Sequence, residues 1–309
     1  MNQGIDLPAS MRVIERGWLS ANSIVFVDAT AAIVVDSGYD THKQQTLSLI
    51  AQALAGRKLD WLVNTHCHSD HMGGNAALQR AYGCRTSIPV GEAPLIRAWD
   101  ETSLMLGPAG QTAERFEVSD AIAAGDVLRM GGIDWEAIHA PGHDMHALMF
   151  YSSAHRILIS GDALWENGFG VIFPELYGDH TAFDATQQTL ERIAALRIDT
   201  VIPGHGAPFH DVAGALDRAN GRLGYYRKDV TRLARHCLKV ILTFALLDKQ
   251  RIKLAVLADY LQANTLYGDL NERYLGLERQ ALADYLVSDL EKAGAIARED
   301  GTIVPRIAA

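Results

Sequence analysis

Cysteine is scarce in this sequence. Cys67, Cys84 and Cys237 are three in 309 residues, odd in number and widely spaced, which excludes a disulfide framework and points to a reducing, cytoplasmic setting. Long apolar runs are missing too. No stretch approaches the roughly twenty apolar residues that a membrane span requires, and Met1 to Ser10 carries Asp6 without an apolar run, so no secretory leader is visible. There is also no excess of positive charge: 28 Lys and Arg face 37 Asp and Glu, a net charge of −9. Such a chain has no general attraction for phosphate backbones, which counts against nucleic acid as its main partner. What is present is a hydrophobic content of 48% with 21% charged residues, the composition of a soluble globular protein with a substantial core. The length suits one large domain with an appendage, or two ordinary domains.

Against this background one stretch stands out, Asn64-Thr65-His66-Cys67-His68-Ser69-Asp70-His71-Met72-Gly73-Gly74-Asn75. It follows the short apolar run Leu59 to Val63, which reads as a buried strand. Residues two apart on an extended chain project to the same side, so His66 and His68 can converge on one ion. Asp70 and His71 are neighbours and must diverge, which suits them to a second ion. Cys67, between two candidate ligands, is expected to point away from the metals into the core. Gly73 and Gly74 would let the backbone pass close to the site and begin a helix. Imidazoles combined with a carboxylate favour zinc foremost, or iron or manganese, over calcium or magnesium.

The run resembles the H-x-H-x-D-H motif of the metallo-β-lactamase superfamily, especially its glyoxalase II-like hydrolases. That resemblance implies three further ligands at fixed punctuation: a His after Pro-Gly, an Asp after a strand and Gly, and a late Gly-His-Gly. Here they stand in order as Pro141-Gly142-His143, Gly161-Asp162 and Pro203-Gly204-His205-Gly206. The expected assignment is His66, His68 and His143 on one ion, and Asp70, His71 and His205 on the other. Asp162 offers two oxygens and can bridge the two. The fold implied is an α/β (α+β) αββα sandwich with the metals at one edge, followed by a mostly helical appendage.

The pattern along the chain agrees with that implication. β-Branched runs at Met11 to Glu15, Ser23 to Asp28 and Ala32 to Asp36 read as strands. Asp36 is either an acid supporting the metals or a plain strand-end turn former. Thr41 to Leu54 has helical spacing, Gly74 to Tyr82 a second helix, Thr86 to Val90 another strand and Glu92 to Asp100 another helix. Glu101 to Ala121 lacks periodicity and is either a loop over the active site or a connector. Val127 to Met130 and Trp135 to His139 read as a hairpin, Ala147 to Tyr151 and Arg156 to Ser160 as strands. Thr181 to Leu196 is a helix, and Thr200 to Ile202 a last strand before His205.

The expected boundary falls after residue 212. Residues 213–309 form a helical, winged-helix-like appendage. Its apolar seam, Leu216 through Leu223, Val230 and Cys237 to Phe244, fits either a buried helical face or a homodimer coiled coil. Ile252 to Gln262 and Leu277 to Ala293 are further helices, before a hairpin over residues 295–305. Glu291-Lys292 and Arg298-Glu299-Asp300 carry mixed charge and are not a basic recognition face.

Function is expected to be hydrolysis. Two ions sharing a water would supply hydroxide at neutral pH, with Asp70 orienting it, acting on a small acyl substrate: a thioester, ester or lactone. The alternative is a ribonuclease or phosphodiesterase of the same superfamily. The resemblance disfavours true β-lactamase activity, because those enzymes generally lack the bridging carboxylate that Asp162 supplies. Where related lactonases place a Tyr three residues after the bridging Asp, this chain has Trp165. Tyr225, Tyr226, Arg227 and Lys228 are the residue types that glyoxalase II uses to hold glutathione. His146 could bond a ligand or the substrate, and His180 has no clear companion.

Overall fold

A computed structural model describes residues 6–307. Eleven strands make two facing sheets. The first runs in spatial order β1 (Met11–Ile14), β2 (Ser23–Val27), β3 (Ala32–Val35), β4 (Trp61–Val63), β5 (Arg85–Pro89) and β6 (Asp120–Ile122). Its first three strands pair antiparallel and the rest parallel. The second comprises β7 (Val127–Met130), β8 (Ile133–His139), β9 (Leu148–Ser152), β10 (Ile157–Gly161) and β11 (Thr200–Pro203). Only its β10–β11 pair is parallel.

The period of two along a strand decides which side chain enters which layer. On β3, Ile33 and Val35 join the core between the sheets, with Phe26, Trp135, Phe150 and Ile202. Val34 points the other way, into a cluster with Ile50 and Leu54 of helix α1 (Lys43–Leu54). β10 alternates likewise: Ile157 and Ile159 face the first sheet, while Leu158 packs outward against Leu190 and Ile193 of the helix Ala182–Ala195. Both sheets must cover two apolar faces, which gives four layers of helix, sheet, sheet and helix. Phe26 and Trp135 meet edge to face across the middle, with 5.4 Å between ring centroids. The expected α/β sandwich is therefore present.

The C-terminal region differs from expectation in three places. The apolar seam is not one helix but two, Val212–Arg227 and Val230–Lys249, which we label α2 and α3. The break lies at Asp229, whose carboxylate caps the second helix by accepting from the Thr231 amide. The seam faces inward: Leu223, Leu233 and Cys237 share one core with Leu158 and Leu190. Second, Ile252–Lys253 is not the start of a helix. It is a short strand, β12, pairing with β14 (Thr302–Pro305), which also pairs with β13 (Ile296–Glu299). Third, a helix over Thr265–Leu270 has no counterpart in the sequence pattern. Its Leu266, Tyr267 and Leu270 are buried in the same core as α3.

The irregular segment 101–121 contains one short helix, Leu106–Ala109, lying against Thr265–Leu270. Among the described residues no helix is long and apolar enough to cross a membrane.

Candidate metal centre

Five strand ends converge at one edge of the sandwich. Asp36 follows β3, His66 follows β4, His143 follows β8, Asp162 follows β10 and His205 follows β11. Asp70 and His71 lie in a single helical turn, Ser69–Met72, that opens directly after His68. The turn fits only because Gly73 and Gly74 close it: a Cβ on Gly74 would run into the Ser37 carbonyl, and one on Gly73 into the Asp40 backbone. Gly204 likewise leaves room for the Asp162 carboxylate.

The seven expected ligands form two groups, His66 with His68 and His143, and Asp70 with His71, Asp162 and His205. Within each group one donor atom per residue lies within 4.8 Å of every other. Asp162 touches both: its Oδ1 is 3.4 Å from His71 Nε2 and its Oδ2 is 3.4 Å from His143 Nε2. His205 Nε2 lies 3.0 Å from Asp70 Oδ2.

The hydrogen bonds behind these side chains decide which ring nitrogen carries a lone pair toward the centre. His143 Nδ1 donates to the Val171 carbonyl at 2.5 Å, which leaves Nε2 as the nitrogen that faces inward. His71 Nδ1 donates to Asp36 Oδ2 at 2.8 Å, leaving Nε2 toward Asp162. Thr65 Oγ1 donates to Asp36 Oδ2 at 2.8 Å and accepts from His66 Nδ1 at 3.1 Å. Asp36 thus fixes two imidazoles, one directly and one through Thr65. Its Oδ1 accepts the Thr65 amide at 2.9 Å, and its backbone takes a left-handed φ of 59°, unusual for a residue other than glycine. Of the two readings open for Asp36, the geometry is that of an acid supporting the site.

This arrangement fits a cation. His66 Nε2 is buried without any hydrogen-bond partner and His71 Nε2 has only the Asp162 carboxylate beside it at 3.4 Å, a costly state for polar atoms unless something binds there. His68 Nδ1 and His143 Nε2 face each other at 2.8 Å, two nitrogens meeting where a shared ion would satisfy both. Burial, reinforced by the neighbouring imidazoles, holds the pKa of His66 well below normal, and burial with His143 lowers that of His68 to about 4. Both are therefore neutral lone-pair donors at pH 7. In the other group burial opposes charge on His71, yet Asp36, Asp162 and Asp70 push its pKa well above normal. Three carboxylates around one imidazole call for positive charge there.

Other residues surround the centre, of which Trp18, Glu92 and Asp144 carried no signal in the sequence. Trp165 Nε1 donates to Asp162 Oδ1 at 3.1 Å, so the indole occupies one side of that carboxylate. Trp18 stacks on the His205 ring at 5.5 Å. Glu92, 2% exposed, lies with Asp144 and the Cys67 thiol behind His68, and burial together with Asp144 raises its pKa well above normal. Cys67 sits in an apolar cluster with Met72 and Ile88. His146 is exposed beside Gly91, and His180 is 81% exposed near Glu175. Neither joins the two groups.

A cavity of about 550 Å³ opens over the centre, floored by His68, Asp70, His143, Asp162 and His205. The segment 101–121 contributes Met105, Ala109 and Gln111 to its wall. Tyr225, Tyr226, Arg227 and Lys228 are absent from the lining, and Arg227 instead pairs with Asp184 at 2.7 Å.

Comparison with known proteins agrees with this geometry. The family described as the metallo-beta-lactamase superfamily matches residues 16–205. An uncharacterised protein of Aquifex aeolicus is 27% identical over 168 residues, covering 52% of this chain and 73% of that one. A hydroxyacylglutathione hydrolase of Rhodopseudomonas palustris is 28% identical over 122 residues, 40% of each chain. The match thus spans about two-fifths of that hydrolase. A solved metallo-beta-lactamase family protein from Thermus thermophilus superposes with a TM-score of 0.58 at 19% identity, over 97% of this chain and 100% of that one, a likeness of fold. With the family match covering residues 16–205 and the His and Asp groups assembled at the sheet edge, the chain belongs to the metallo-beta-lactamase superfamily of hydrolases.

Proposed function

We propose that the protein is a binuclear metallohydrolase acting on a small acyl compound, a thioester, ester or lactone. The observation that carries the reading is the position of Asp162, whose two oxygens lie 3.4 Å from a nitrogen of each donor group. In this reading His66, His68 and His143 would hold one divalent ion and Asp70, His71 and His205 the other, with the Asp162 carboxylate within reach of both. Zinc suits the donor set best, with iron or manganese as the alternatives. Two such ions supply Lewis acidity and make water a nucleophile near neutral pH.

The chain's own residues then have defined tasks. Asp36 and Thr65 keep His66 and His71 in the tautomers that present Nε2 to the centre. Asp70 Oδ2, 3.0 Å from His205 Nε2 and lining the cavity, orients the attacking water. Trp18 and Trp165, edge to face at 5.5 Å, form an aromatic wall beside it and limit access of bulk water. Residues 213–309 are proposed as an appendage that completes the cavity. The hydroxyacylglutathione hydrolase likeness supports an acyl substrate, as does the acidic net charge of −9, which disfavours a polyanionic one.

The test is elemental analysis of the purified protein, then turnover of a panel of thioesters, esters, lactones, phosphodiesters and RNA. Chelation should abolish acyl turnover and re-addition of zinc, manganese or iron should restore it. Turnover untouched by complete metal removal would overturn the reading. So would metal-dependent RNA cleavage without turnover of any acyl compound.

A further inference from the structure

The cavity is much larger than the centre beneath it, and one face of α3 runs along its length. His236, Val240, Thr243 and Leu247, spaced by four, three and four, line it together with Lys239 and Phe244. That spacing keeps one helical face toward the cavity over about 16 Å of rise.

The face is not uniform. Its N-terminal end is polar, with His236 and Lys239. Its C-terminal end is apolar, with Val240, Phe244 and Leu247 backed by Leu290 and Ile307.

Charge is concentrated at the polar end. Burial, reinforced by Arg222 and Lys239, lowers the His236 pKa to about 4, so that ring is neutral at pH 7. Lys239 is neutralised by Asp289 at 2.7 Å. Arg222 is different. Its neighbours on α2, Arg218 and Arg227, pair with Asp211 and Asp184, but Arg222 has no carboxylate partner among the described residues. Its guanidinium packs over Gly168, in the loop that carries Trp165 beside Asp162, and it lines the cavity. Glu166, the acid of that same loop, is exposed. An unpaired guanidinium at the rim of an apolar pocket is suited to a carboxylate or phosphate on a ligand.

We propose that the cavity takes an acyl compound bearing an extended apolar chain and an acidic group, with the chain along Val240, Phe244 and Leu247 and the acid at Arg222. The proposal rests on the acyl-hydrolase reading and deepens it by naming the substrate class. A short, polar hydroxyacyl group would leave the apolar wall in contact with water, whereas an alkyl or aryl chain removes both surfaces from it.

The experiment measures kcat/KM of the metal-loaded enzyme for acetyl, butyryl, hexanoyl and octanoyl thioesters of 3-mercaptopropionate and of its methyl ester. Calorimetric binding of acetate and octanoate runs in parallel. Each added methylene should raise kcat/KM roughly fourfold until the cavity is filled, and octanoate should bind more tightly than acetate. Thr243→Phe, which places a ring in the cavity without altering the core, should cut the octanoyl-to-acetyl ratio by at least about tenfold. Arg222→Met should raise KM for the acidic thioesters about tenfold more than for the methyl esters, and Arg222→Lys should recover part of that difference. A flat or falling dependence on chain length, in both turnover and binding, would overturn the apolar-chain assignment. An equal effect of Arg222→Met on acidic and neutral thioesters would overturn the acid assignment. Octanoate binding without turnover of any thioester would support the cavity assignment and overturn the acyl-hydrolase reading.

Discussion

Asp36→Asn probes the support of the metal centre with little change of shape. The native carboxylate accepts four hydrogen bonds: Thr65 N at 2.9 Å and Asn64 Nδ2 at 3.3 Å on Oδ1, and Thr65 Oγ1 and His71 Nδ1, each at 2.8 Å, on Oδ2. Asn keeps the first oxygen but puts an NH2 where the second stood. That group donates, so His71 Nδ1 must become an acceptor and its proton moves to Nε2, the nitrogen facing Asp162. A protonated Nε2 cannot bind an ion. Loss of such a supporting acid costs about 10–100-fold in metal affinity, or about 1.4–2.7 kcal/mol. Asn rather than Ala is the right variant because residue 36 has a φ of 59°, a conformation Asn tolerates. Competition titration against a chelator of known affinity would measure both ions, with cooperative thermal melting as the check on folding. The ion at Asp70, His71 and His205 should weaken more, since His66 is reached only through Thr65. Wild-type affinity at both sites in a folded variant would refute the claim that Asp36 sets the tautomers.

Asp162→Ala should lose at least one ion and most activity by elemental analysis and assay, whereas Cys67→Ser should retain both ions, because Cys67 packs in an apolar cluster with Met72 and Ile88. Truncation after Asp211 should yield insoluble or inactive protein, scored by soluble yield, since Leu158 and Leu190 share their core with Leu223, Leu233 and Cys237. His236→Phe should flatten the acid side of the stability profile. Its pKa is lowered from 6.5 to about 4 in the fold, so as pH falls through that window the unfolded chain takes up a proton that the folded chain refuses and stability drops. Removing the group should spare up to about 3 kcal/mol of that loss near pH 4, read by denaturant melts of both proteins.

Much of the centre was legible because its chemistry is local. The spacing of His66, His68, Asp70 and His71 follows from which residues share a side of the chain, whereas His143, Asp162 and His205 were expected only through the resemblance to the superfamily, since a lone His or Asp in a glycine-bracketed turn marks no ligand by itself. The strands were legible because runs such as Ala32 to Val35 are apolar throughout and mostly β-branched, as a strand buried on both faces requires. The break between α2 and α3 had a signal at Asp229, a capping residue ahead of Val230, but an unbroken apolar seam masks it. The strand at Ile252–Lys253 had none, because a two-residue pairing is set entirely by its partner β14. Glu92 and Asp144 were illegible for a related reason. They meet behind His68 only after the first sheet and the loop following β8 are in place, and nothing in either local sequence marks Glu92 as buried or Asp144 as its neighbour.

The cavity wall shows where sequence adjacency misleads. Tyr225, Tyr226, Arg227 and Lys228 form an attractive cluster when written in a line. On a helix, consecutive residues are turned by about 100° each, so four in a row fan out around the axis and cannot all address one site. The structure bears this out: Tyr225 is 53% exposed, Tyr226 is buried against His236, and Arg227 turns to Asp184. The residues that do face the cavity are spread out, Arg222 on α2 and His236, Val240, Thr243 and Leu247 on α3. Each belongs to a face, and a face appears only when residues are read three and four apart. The same reading explains why an apolar stripe continuing past His236 need not be a dimer seam. Leu233 and Cys237 point into the protein's own core, while Val240 and Phe244, on the same helix, line the space above the metal centre.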